Sequence, residues 1–164
     1  MTLAELMANK TPSASYEGIT NADDMVLAVN LAGSSKISGY IVAQEGISEA
    51  TGSLEAETQE KQYLRSGKST TKTGTSRTFN VTGDRIVGDD FQDAILDYSV
   101  KFGTGSAVVK DYIYFNILTG KGEKGIVSIA VTEDLSGAAG ENATFTATLS
   151  SRGTPVEYTY STEA

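Results

Sequence analysis

The chain has 164 residues, enough for one domain with a core that needs no staples. It contains neither Cys nor His, which excludes disulfides, thiolate nucleophiles, zinc–sulfur sites and the Ser–His and Cys–His pairings of hydrolases. Its formal net charge of −8 opposes the phosphate neutralisation by which proteins grip nucleic acid.

Residues 1–24 are polar and loosely patterned, and they read as an N-terminal arm ahead of a single β domain over 25–164. Thr2 and Glu5 are spaced as a capping box ahead of Leu3, Leu6 and Met7, a helix of two turns at most. MTLAELMANK has no basic start and no long apolar run, so it is no signal peptide. No apolar run approaches a membrane span, and no membrane partner is expected.

Residues 25–33 (MVLAVNLAG) and 39–47 (GYIVAQEGI) read as strands, followed by 62–66 (QYLRS) and 77–82 (RTFNVT). In the last of these Phe79 and Val81 share one face, with Thr78, Asn80 and Thr82 on the other. After residue 100 the period-two signal strengthens over residues 111–118, 125–132, 143–150 and 156–160, with Gly-rich turns between them. Phe145, Ala147 and Leu149 alternate strictly with Thr144, Thr146 and Thr148. The expected fold is mainly β, an antiparallel sandwich or barrel-forming sheet with one flanking amphipathic helix.

That helix is expected over about 89–98. Asp89 is a good N-cap and Gln92 completes a capping box. Asp90 and Asp93 favour the first turn, and Phe91, Ala94, Ile95 and Tyr98 form an apolar stripe. Asp97 opposes the dipole near the far end. Together with Asp84 these aspartates invite a metal reading, but no EF-hand spacing is present and the helix start explains them. No carboxylate pair stands out for glycoside hydrolysis, so catalysis, metals and cofactors are not expected.

The polar middle, about 48–77, is rich in Ser, Thr, Gly, Glu and Lys, and it reads as a long hairpin loop. Its charges are sorted. Glu45, Glu49, Glu55, Glu57 and Glu60 precede Lys61, Arg65, Lys68, Lys72 and Arg77, so an acidic limb on one subunit suits a basic limb on the next. Gly67-Lys68-Ser69 fails as a phosphate loop, because Gln62 stands where glycine is needed and no apolar helix follows. Tyr112, Tyr114, Tyr158 and Tyr160 suit either a sheet or a sugar-stacking platform, which keeps a carbohydrate-binding or adhesive module as an alternative.

Three blocks carry a resemblance to a known family. They are Met7-Ala-Asn-Lys-Thr-Pro12; the stretch from Arg65-Ser-Gly67 through Thr78-Phe-Asn-Val-Thr-Gly83 to Asp89-Asp-Phe-Gln-Asp-Ala-Ile-Leu96; and the tail from Gly125 through residues 143–149 to Pro155-Val-Glu-Tyr158. Over roughly residues 7–160 the chain resembles the major tail tube proteins of long-tailed, non-contractile bacteriophages of Gram-positive hosts. The resemblance implies a β-sandwich subunit, six of which close into a ring, with rings stacked into a tube around a continuous inner barrel. It implies a virion-tail protein assembled in the host cytoplasm. Its partners would be further copies and the tape-measure, tail terminator and distal tail proteins, with double-stranded DNA passing through the lumen. The arm, with Leu3 and Leu6, and the hairpin, with Tyr63, Leu64, Arg65, Lys68 and Lys72, are then the expected subunit contacts. Glu45, Glu49 and Glu57 are expected toward the lumen. The inner tube of a contractile tail shares the fold and stays open as an alternative.

Overall fold

A computed structural model describes residues 1–161. In chain order it contains α1 (Leu3–Met7), β1 (Met25–Asn30), β2 (Tyr40–Val42), β3 (Ile47–Tyr63) and β4 (Gly67–Asp84). Then come α2 (Asp90–Ile95), α3 (Tyr98–Lys101), β5 (Val109–Asn116), β6 (Lys121–Ser136), β7 (Thr144–Ser151) and β8 (Val156–Thr159). The strands form one antiparallel sheet in the order β2-β1-β5-β6-β7-β4-β3, and β8 pairs with the start of β6. The chain is thus mainly antiparallel β with a few short helices, of the β-sandwich class.

The sheet curls on itself. Phe79 of β4 touches Tyr112 and Tyr114 of β5, with ring centroids 5.2 and 5.0 Å apart, although β6 and β7 lie between those strands in the ladder. Inside the curl lies the first core, where Leu27, Phe79, Val81, Val127, Ile129 and Leu149 meet Phe91, Ile95 and Val100 from the two helices. A second core covers the opposite face of β1 and β5. It holds Val26, Ala28, Ile113 and Phe115, capped by Leu3 and Met7 of α1 and Tyr158 of β8. β1 is therefore buried on both faces, which is why its sequence runs apolar instead of alternating.

The capping box of α1 forms as its spacing predicts: Thr2 N–H donates to Glu5 at 2.8 Å, and Thr2 Oγ1 accepts from Glu5 N–H at 3.3 Å. Five residues cannot hold a helix alone. Burial of Leu3 and Met7 holds this one, together with the short bridge between Thr2 and Ile41.

Four local expectations are corrected. Residues 39–47 are not one strand, because β2 ends at Val42 and the chain turns at Gly46, whose φ is +70°. A side chain there would also strike the backbone O of Asp84 at 2.8 Å. Residues 62–66 are the end of β3 and its turn, not a separate strand. The helix over 89–98 is two helices. Asp97 starts the second by accepting from Ser99 N–H at 3.0 Å, so it caps an N-terminus instead of opposing a dipole. Tyr98 then lies exposed outside the apolar stripe. Finally, Gln92 does not close a capping box, because its side chain is fully buried and turned away from Asp89.

Candidate functional site: a long hairpin and a polar sheet face

The polar middle is strand almost to its tip. β3 and β4 pair from Ile47–Gly83 to Tyr63–Gly67, leaving only Leu64, Arg65 and Ser66 as the turn. Its Thr and Ser content suits an extended backbone with both faces in water. Extra residues at Ser48 and near Thr73 kink the ladder, and the Thr73 hydroxyl donates to the Glu57 carbonyl at 3.2 Å. β3 is exposed along nearly its whole length and among the described residues pairs only with β4, so its other edge offers a row of backbone groups with no partner strand among them.

Two buried polar groups hold the root of this hairpin. Gln92 of α2 donates through Nε2 to the carbonyls of Glu45 at 2.8 Å and Asp84 at 2.9 Å, the residues flanking the two strands. Its Oε1 accepts from Ile86 N–H at 2.7 Å. Arg77 of β4 stands in phase with Phe79 and Val81 and is buried with them. Its Nε donates to Glu123 of β6 at 2.8 Å, and the Tyr112 hydroxyl donates to the same carboxylate at 2.9 Å. The guanidinium lies over the rings of Phe79 and Tyr114 at 4.5 and 4.8 Å. Burial, with the adjacent Glu123 carboxylate, pushes the Tyr112 hydroxyl well above its ordinary pKa. That hydroxyl therefore stays a donor.

The register also builds a face. Phe79 and Val81 of β4 point into the core with Leu149 and Ala147 of β7. The alternate residues point outward: Thr78, Asn80 and Thr82 beside Ser150, Thr148 and Thr146. β3 adds Glu49, Thr51 and Ser53 next to them, with Glu55 and Glu57 further along the hairpin. Hydroxyls knit the face together, with Thr82 and Thr146 at 3.2 Å and Thr148 donating to Asn80 Oδ1 at 2.8 Å. Among the described residues, no Lys or Arg side chain enters this patch of β3, β4 and β7 as far as Glu57, and Lys61 follows on the same face of β3 further toward the tip.

The expected site residues fall in separate places. Tyr63, Leu64 and Arg65 form the exposed tip, and Lys68 and Lys72 lie on β4 below it. Glu49 and Glu57 stand on the polar face, while Glu45 lies in the turn before β3. Leu3 is fully buried in its own subunit and Leu6 packs beside the same core, so their apolar surface is largely used within the chain. The sorted charges lie side by side on the two strands of one hairpin, where Lys68 pairs with Glu60 at 2.7 Å. Arg77 belongs to the buried root and not to a basic limb.

Each aspartate of the 84–93 cluster has a structural partner. Asp89 caps α2 by accepting from Gln92 N–H at 2.9 Å. Asp84 accepts from Asn142, and Asp90 lies 3.7 Å from the N-terminal ammonium. Asp93 pairs with Arg85 at 2.5 Å and accepts from Gly88 N–H, and the Arg85 bond lowers its pKa. The tyrosine platform does not exist, because Tyr112 is buried in the first core and Tyr158 in the second, on opposite faces of the sheet. The roles of Arg77 and Gln92 escape the sequence reading. The available signal was a cation in phase with Phe79 and Val81, and an amide beside an apolar stripe.

No protein-family model and no curated protein matches the sequence. Solved structures do match the fold. A chain in the tail of an empty GTA particle, refined with C6 symmetry, superposes with a TM-score of 0.61 at 19% identity, covering 87% of this chain and 100% of that one. A chain in the virion of a native gene transfer agent particle gives 0.57 at 15% identity, covering 85% and 98%. A chain of the sheath-tube complex of an extracellular contractile injection system, PVC, gives 0.53 at 13% identity, covering 98% and 100%. The chain therefore shares its fold with chains of particle tails and of a sheath-tube assembly.

Proposed function

We propose that the chain is a structural subunit of a tail tube, in which copies close into hexameric rings that stack into a conduit for a viral genome. The observation that carries the reading is β3, a 17-residue exposed strand with one edge unpaired, bordering a polar face. Such an edge invites pairing with another copy, and joining edges around a ring would remove it. The likeness to a chain in a tail with C6 symmetry supports six copies per ring.

In this reading residues 1–24 act as an arm and residues 25–164 as one tube domain carrying the hairpin. The polar face lines the channel. Threonines, Asn80 and the carboxylates of Glu49, Glu55 and Glu57 would pass DNA without holding it, whereas a cationic lining would retain each phosphate. The subunit performs no catalysis and needs no cofactor. It works in the virion tail after assembly in the host cytoplasm, with tape-measure, terminator and distal tail proteins at its ends. The non-contractile type follows from the sequence resemblance. The likeness to the sheath-tube complex favours a second reading, the inner tube of a contractile tail.

Electron microscopy of the purified, concentrated chain tests the proposal and should reveal hollow tubes of stacked six-fold rings. A particle that stays monomeric under all conditions and is absent from virions would overturn it. A sheath around the same tube in virions would select the contractile form.

A further inference from the structure

We propose that a pocket on the side of the subunit away from the polar face, lined by Tyr40, Lys124, Ile126, Arg152 and Val156, is a docking site for an acidic polypeptide segment of a second protein that covers the outer wall of the tube. The inference rests on the tube reading and adds a partner surface to it.

Strand alternation places the pocket. Tyr112 of β5 points into the first core, where it meets Phe79 of β4. Asp111 and Ile113 alternate with Tyr112 and so point to the opposite face. The ladder sets Ile126 opposite Asp111, Lys124 opposite Ile113, and Val156 of β8 opposite Lys124, all on that far face. The turn between β7 and β8 adds Arg152, whose N–H donates to the Ile126 carbonyl at 2.7 Å. Tyr40 of β2 completes a pocket of about 400 Å3. The polar face of β4 and β7 lies across the first core from it. With that face lining the channel, the pocket opens on the outer wall. Ring neighbours lie beside a subunit and stacked copies lie above and below it, so a contact on the outer wall belongs to a different chain.

The chemistry of the pocket selects an acidic occupant. Ile126 is 42% and Val156 55% exposed, so two β-branched apolar side chains stand in water on neighbouring strands. Lys124 and Arg152 flank them, and neither makes an ion pair among the described residues. The Tyr40 hydroxyl has its pKa raised, first by burial and then by the Asp111 carboxylate, so it stays a donor beside the two cations. Asp111 is the one carboxylate lining the pocket among the described residues, and Glu157 alternates with Val156 onto the other face. Two cations against one carboxylate leave the pocket positive in a chain of net charge −8. A segment that mixes carboxylates with apolar side chains matches this floor and these donors.

Co-sedimentation of assembled tubes with a fluorescein-labelled peptide of alternating leucine and glutamate tests the site. The peptide should travel with the tubes, and a matched peptide with lysine for glutamate should not. Lys124→Glu combined with Arg152→Glu should still form tubes and should weaken peptide binding about tenfold or more. Asp111→Asn removes the opposing charge and should tighten binding about threefold. Ile126→Ser leaves the charges in place and should weaken it. Equal binding of the two peptides, or unchanged binding by the double charge variant, would overturn the site. A double variant that folds by circular dichroism but forms no tubes would make the pocket a contact between copies, which also overturns the proposal. Failure of the unaltered chain to form tubes would count against the tube reading instead, and fluorescence anisotropy of the same peptides with the soluble subunit would still decide the pocket.

Discussion

Gln92 satisfies one backbone donor and two backbone acceptors from inside the core, and Asp89 satisfies one donor at its edge. Replacing each should separate a cap from a bracket. Asp89→Ala is expected to cost about 1 kcal/mol by denaturant unfolding. Gln92→Leu keeps the bulk but leaves three backbone groups without their partner beside a fully buried side chain, and is expected to cost about 2 kcal/mol. Equal losses from the two would mean that the Gln92 bonds are replaced by water. Asp93 carries a pH dependence. Its carboxyl titrates below the ordinary range, first through the Arg85 hydrogen bond, so its stabilising effect is complete above the unfolded pKa of about 3.9. It is lost as the pH falls through the lower folded value. The gap in melting temperature between the parent and Asp93→Asn should therefore be widest near neutrality and narrow as the pH drops below about 4.

The hairpin joins two regimes in one element. Its root is tied to α2 by Gln92 and to β6 by Arg77, while its outer half packs on nothing in its own subunit. Arg77→Met should destabilise the fold by about 2 kcal/mol, below the figure for a fully buried pair because Glu123 remains 26% exposed. Adding Glu123→Gln should recover part of that loss, since the carboxylate no longer lacks its partner. At the other end, replacing residues 58–73 with Asn-Gly would join Glu57 and Gly74 through a tight turn. The shortened chain should melt within a few degrees of the parent and form no tubes. Wild-type tubes from it would remove the outer hairpin from assembly.

For the whole molecule, the polar face predicts how a channel would treat DNA. Thr148→Lys with Asn80→Lys should leave folding and tube formation intact, because both side chains point away from the core. The altered tubes should retain duplex DNA at low salt and release it as salt rises, and tubes of the parent should retain none. The sequence alone determined much of the subunit. The strands after residue 100, the opposite faces at Phe79 and Thr78, and the caps at Thr2 and Asp89 are set by period-two patterning and by short-range hydrogen bonds, which neighbours in sequence decide. The depth of Gln92 and Arg77 and the burial of Tyr112 and Tyr158 on opposite faces needed the tertiary structure. Each depends on a partner far along the chain, such as Glu123 for Arg77 or Glu45 for Gln92, and no local pattern encodes which distant strand will curl across to supply it. The polar middle illustrates both sides. Its composition announced a solvated segment, but only the ladder between β3 and β4 turned it into a long two-stranded hairpin with an exposed tip.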